Sequence, residues 1–82
     1  MNHIEILNQI NTIFRRVFEN DSLHIQMETS ADDVDEWDSL NHTVMIVEVE
    51  KHFNIKFKLK EVLSFQNVGD MVNIIHSKVT SA

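Results

Sequence analysis

The chain has 82 residues, 43 % hydrophobic and 24 % charged, and a net charge of -6. That length suits one domain with a small core, since a second would fall below the usual minimum of ~50 residues, and the composition excludes wholesale disorder. The absence of cysteine excludes a disulfide framework, a cysteine-based zinc site and a thiol nucleophile, and the negative charge disfavours DNA or RNA as a partner while attracting basic surfaces.

In chain order, the first segment runs from about His3 to Phe18. Ile6, Ile10, Ile13 and Val17 repeat at spacings of four, three and four, and Leu7, Phe14 and Phe18 widen the same face. This is the pattern of an amphipathic helix. Asn8, Asn11, Thr12, Arg15 and Arg16 fall on its wet side, and Asn20-Asp21-Ser22 ends it.

Glu19 to Asp38 holds eight of the thirteen acids and no lysine or arginine. Leu23, Ile25, Met27 and Val34 have no sustained period there. The stretch reads as a long loop anchored by a few apolar side chains. Its charge is that of a solvated surface, although a loop this long in so small a domain usually has a function.

Asp38 precedes the next apolar run and is placed as a helix N-cap. Ser39 then falls in the first turn, exposed, among unpaired N–H groups at the positive end of the dipole. A phosphate ester on its hydroxyl would meet a favourable field. Taken alone, a first-turn serine is simply a good local fit. The helix extends to about Phe53. Met45, Ile46, Val49 and Phe53 form one stripe, and Leu40, Val44 and Val47 a second, with Asn41, Glu48, Glu50 and Lys51 between. One stripe packs the core. The other either meets a partner or is wrapped by the loop. Trp37 has the same two readings, core packing or docking anchor.

Ile55 to Lys60 alternates apolar and basic. A lone strand would have no partner, so an extended connector is expected, burying Ile55, Phe57 and Leu59. Lys60 to Phe65 suits a short helical turn with Val62, Leu63 and Phe65 inward. The last helix starts near Asn67, with Asp70 completing an approximate capping box. Val68, Met71, Val72, Ile75 and Val79 form its stripe, Gly69 permits close packing, and Thr80 to Ala82 are expected to fray.

The sum is an all-α chain of three main helices and a short one, with the long loop between the first two. A single glycine and no proline exclude an all-β fold. No apolar run approaches the ~18 residues of a membrane span and no export signal opens the chain, so a soluble, cytoplasmic, monomeric domain spanning residues 1–82 is expected. His3, His24, His42, His52 and His76 are dispersed without the spacing of a helical zinc pair. Asp33-Val34-Asp35 resembles an EF-hand start but lacks its glycine. His42 lies one turn after Ser39, yet no nucleophile elbow supports a hydrolase. No metal and no catalytic residue is expected, and His42 is placed beside the serine or on the surface.

Asp38-Ser39-Leu40 at the start of the second helix, Glu48 and Glu50 within it, Phe53 at its end, Phe57 four positions on and Val68 opening the last helix together resemble the acyl carrier protein family. The correspondence runs without a gap from Asp38 to about Ile75, and the preceding helix and loop agree in placement. The resemblance implies a four-helix bundle of acyl-carrier type that performs no chemistry of its own. It implies that Ser39, flanked by Asp38 and Leu40, is esterified by 4′-phosphopantetheine from coenzyme A through a phosphopantetheinyl transferase. Acyl, aminoacyl or peptidyl groups would ride as thioesters on the thiol of that arm, which also accounts for the missing cysteine. Implied partners are an acyl- or aminoacyl-loading ligase or transferase and synthase or acyltransferase enzymes, met at Trp37, Asn41, Val44, Val47 and Glu48, and the bundle interior is expected to shelter a growing chain. The sequence departs from fatty-acid carriers at Asn41, where many have aspartate, at Val44, where they have a partner-facing glutamate, and at Lys56, Lys58 and Lys60, where many are acidic. With Trp37 and His42, these departures point to a specialised carrier of polyketide, aminoacyl or cell-surface saccharide assembly rather than the main fatty-acid carrier.

Overall fold

The computed structural model describes residues 1–80 as helices α1 (His3–Val17), α2 (Ser39–Phe53), α3 (Leu59–Ser64) and α4 (Val68–Thr80). Ser81 and Ala82, expected to fray, lie outside the described residues. Helix α1 packs against both α2 and α4.

Helix α1 starts at a reciprocal cap. The Asn2 side chain accepts from the Glu5 amide at 2.8 Å, and the Glu5 carboxylate accepts from the Asn2 amide at 3.2 Å, satisfying two otherwise unpaired donors. The helix stops at Val17 with Phe18 as its C-cap, as expected, just before Asn20-Asp21-Ser22. Glu19 takes a left-handed φ of 53°, and the Asn20 amide turns back to the Arg15 carbonyl at 3.0 Å. Glycine usually marks such a reversal, and none is present.

Ile6, Ile10, Ile13 and Phe14 form the buried face of α1, meeting Met45, Ile46 and Val49 of α2 and Val68, Met71, Val72 and Ile75 of α4 in one cluster. Asn11 was expected on the wet side and is 5 % exposed. Its Oδ1 accepts from the Ile25 amide at 2.8 Å, and its Nδ2 donates to the Ile25 carbonyl at 3.1 Å. A loop backbone entering the core needs partners, and Asn11 supplies both.

The loop is therefore part of the core. Ile25, Val34 and Trp37 are buried, with Leu23 and Met27 half-buried. Ala31–Asp33 forms one 3-10 turn. At its far side the Val68 amide donates to the Thr29 carbonyl at 2.8 Å and the Gly69 amide to the Met27 carbonyl at 2.7 Å. A Cβ on Gly69 would sit 3.0 Å from that same Met27 oxygen, so glycine admits the loop against α4.

Helix α4 is capped by Asn67, whose Oδ1 accepts from the Asp70 amide at 2.9 Å. The Asp70 carboxylate accepts from the Gln66 amide rather than from Asn67 itself, so the expected box is modified. Thr80, expected to fray, closes the last turn by donating to the His76 carbonyl at 2.7 Å.

Two leucines depart from expectation. Leu59 and Leu63 are 73 % and 76 % exposed, because α3 begins at Leu59 and directs Val62, not Leu63, toward the core. Ile55, Phe57 and Phe65 are half-buried as expected. Helix α3 is held by Glu61, whose Oε1 accepts from the Lys58 amide at 2.8 Å and pairs with Lys78 of α4 at 2.9 Å.

Candidate functional site

Asp38 ends the loop in an extended conformation, and its carboxylate accepts from the Asn41 amide at 2.8 Å. That bond takes up the third-position amide of α2. Ser39, the first helical residue, and Leu40 are both exposed, and the Ser39 hydroxyl has no hydrogen-bond partner among the described residues. The Ser39 and Leu40 amides, which precede the capped one, lie at the positive end of the helix dipole. A phosphate ester on the serine oxygen would meet a favourable field there.

Trp37 is buried in the core, its ring 5.1 Å from that of Phe14 and perpendicular to it. Of its two readings, packing is the one realised. At 8 % exposure it offers a partner almost no surface. Its indole N–H donates to Nδ1 of His42 at 2.9 Å. An indole only donates, so Nδ1 is the acceptor and the neutral ring carries its proton on Nε2. Burial holds the His42 pKa below its ordinary value.

Asn41 is half-buried, and its side-chain amide donates to the Glu36 carbonyl at 2.8 Å. An aspartate at this position has no N–H to give, which explains the asparagine. Asn41, expected to face a partner, ties the loop to α2. Glu48 is half-buried and engaged by Arg16 at 3.0 Å and Lys51 at 3.7 Å. Leu40 (73 % exposed), Val44 and Val47 (both 42 %) stand free of the loop, so the loop does not wrap the second α2 stripe.

Beside the serine lies an open groove of about 420 Å³, lined by Ala31, Trp37, Asp38, Ser39, His42, Thr43, Val62 and Leu63. The loop, α2 and α3 converge on it. Of these residues, Ala31 and Val62 were not foreseen because loop and α3 positions give no periodic signal, and Thr43 because it lies on α2 outside both apolar stripes. Leu63 was placed inside and instead forms the lip. The space beside the serine is thus a surface groove. Among the described residues no group of three or more potential ligands is positioned to hold a metal ion, and no helix is long and apolar enough to cross a membrane.

The family model described as "Phosphopantetheine attachment site" matches residues 8–75. The solution NMR structure of a holo acyl carrier protein from Geobacter metallireducens is similar to this chain with a TM-score of 0.87 and 43 % identity, over 93 % of this chain and 87 % of that one. No curated protein matches.

Proposed function

Since the chain belongs to the acyl carrier protein family, its prosthetic group is 4′-phosphopantetheine and its role that of a carrier rather than an enzyme, and we propose that Ser39 is the attachment residue. The observation that carries this is the exposed, unpartnered hydroxyl in the first turn of α2, beside the groove. When bound, the group supplies a terminal thiol on which acyl groups ride as thioesters. Asp38 fixes the helix start, so the serine oxygen is presented from a rigid frame. The first-turn amides stabilise negative charge at that oxygen. The groove walls, apolar at Val62 and Leu63 and polar at His42 and Thr43, give an attached arm a place to lie.

Incubation with coenzyme A and a broad phosphopantetheinyl transferase tests the reading. Intact mass is expected to rise by one arm for the wild type and not for Ser39→Ala. No gain for the wild type would leave an unmodified helical interaction module.

We further infer a single carrier domain over residues 1–82, monomeric and cytoplasmic, that serves a specialised pathway. Its partners are a loading ligase or transferase and synthase or acyltransferase enzymes. Support comes from the α2 face, which is apolar at Val44 and Val47 and whose carboxylates at Glu48 and Glu50 are engaged within the protein. Loading by a general malonyl transferase is expected to be slower than for a standard fatty-acid carrier, and equal rates would overturn the specialised assignment.

A further inference from the structure

The groove beside Ser39 is lined by few polar side chains, and their donors are almost all spent. Thr43 donates its hydroxyl proton to the Ser39 carbonyl at 3.1 Å. The Asp38 carboxylate accepts from the Asn41 amide at 2.8 Å. The Trp37 indole N–H goes to Nδ1 of His42 at 2.9 Å. These two rings are inclined by 18° with centroids 6.1 Å apart, so the bond joins them edge to edge and they form one flat panel in the groove wall. Ala31, Val62 and Leu63 offer no side-chain donor.

Apart from the Ser39 hydroxyl itself, the donor that remains is the Nε2–H of His42. It has no hydrogen-bond partner among the described residues, and no unpartnered side-chain nitrogen there is sealed from solvent. Trp37 sets the tautomer. An indole cannot accept, so Nδ1 holds the lone pair and Nε2 the proton of the neutral ring. A ring fixed in this way cannot take a proton through Nε2, but it can give a hydrogen bond to an acceptor that enters the groove. His42 lies one turn after Ser39, and Cα–Cβ bonds in a helix tilt toward its N-terminus. The imidazole therefore leans toward the turn that carries the serine.

We propose that His42 is a positioning residue for the prosthetic arm, donating from Nε2 to a phosphodiester oxygen on Ser39. The inference rests on Ser39 being the attachment residue. The phosphodiester is favoured over the amide carbonyls of the arm because it sits at the serine oxygen and carries negative charge, which strengthens the bond. Trp37 acts through His42 by holding the tautomer and plane of the ring. Together with the Ser39 and Leu40 amides, the imidazole fixes the root of the arm, so that the arm leaves the serine along the groove.

An anion beside an imidazole favours its charged form. The carboxylates about the groove have partners of their own. Asp38 is bonded as above, Asp33 of the loop accepts from the Ser30 amide at 3.0 Å, and Glu61 of α3 is held by the Lys58 amide and by Lys78. Asp32 and Lys60 are exposed to solvent. Loading is therefore expected to raise the pKa of His42 from its burial-lowered value.

The test uses the full chain before and after treatment with coenzyme A and a phosphopantetheinyl transferase, with loading at Ser39 scored by intact mass. Long-range 1H–15N spectra are expected to show the neutral His42 ring protonated on Nε2 in both forms. The His42 midpoint is expected to rise on loading, and the 31P resonance of the phosphodiester to shift with that same midpoint. His42→Asn keeps an acceptor for Trp37 but is too short to place a donor where Nε2 stands, so its 31P trace is expected to be flat. A chain that does not load would overturn the attachment reading and this one with it. In a loaded chain, a ring protonated on Nδ1 or an unchanged midpoint would overturn this proposal alone. So would a 31P shift that survives in His42→Asn, which would belong to Asp38. Altered imidazole signals with a flat 31P trace in the wild type would also overturn it, and would assign the donor to a carbonyl farther along the arm.

Discussion

Ser39 contributes almost nothing to packing and depends on its neighbours for its position. Asp38 caps the helix, Asn41 fastens Glu36, and Trp37 is wedged against Phe14. Ser39→Ala is therefore expected to shift the melting temperature by no more than about 4 °C, as for other exposed substitutions in a domain of this size, and a larger loss in a thermal scan would contradict this. His42 behaves differently. Its folded pKa lies below the 6.5 of a free imidazole because burial disfavours the charged ring. The unfolded chain therefore takes up a proton first as pH falls. The contribution of neutral His42 is complete above pH 6.5 and is lost as pH drops through the lower folded value. Protonation also removes the Nδ1 lone pair that the Trp37 indole uses. His42→Gln retains an acceptor, so its melting temperature is expected to fall less than that of wild type between pH 7.5 and 5.5. Parallel curves would show that other groups govern the acid limb. The Trp37–His42 bond crosses the loop–helix boundary over five residues, and no spacing rule in the sequence announces it, whereas the Asp38 cap was legible because the pattern of cap followed by apolar run is local.

Helices α1, α2 and α4 were legible because each carries an apolar stripe of helical period, and α2 has the bounds expected, Ser39–Phe53. What the sequence concealed lies where tertiary packing decides. Asn11 reads as a surface residue, yet the chain crossing above it at Ile25 needs a donor and an acceptor. Asn11→Ala leaves the Ile25 amide and carbonyl without partners in the core, and a loss of about 2–3 kcal/mol is expected in urea denaturation. A loss under about 0.5 kcal/mol would mean that water replaces both bonds. Leu59 and Leu63 were misplaced for a related reason. Six residues make fewer than two turns, too few for a period to identify the inward face.

For the molecule as a whole, the long segment between α1 and α2 is bonded to both α1 and α4. Arg15 and Asn11 hold its first half through the Leu23 carbonyl and the Ile25 backbone, and α4 holds its second through the Thr29 and Met27 carbonyls. Composition alone made it a solvated acidic loop, and its eight acids do face water for the most part, but the burial of its own Ile25, Val34 and Trp37 in the core makes it a structural layer. The amides of Ile25, Val68 and Gly69 are accordingly expected to exchange hydrogen only through global unfolding, as slowly as those of Met45 and Ile75. Exchange at these three by a faster local route would show that the segment opens by itself. The placement of Trp37 has an optical consequence. It is the single tryptophan in a chain without tyrosine, and it lines the groove two residues before Ser39, the proposed attachment residue. Emission excited at the red edge of protein absorbance thus comes from one fluorophore next to that serine, so occupancy of the groove can be followed in real time without a label.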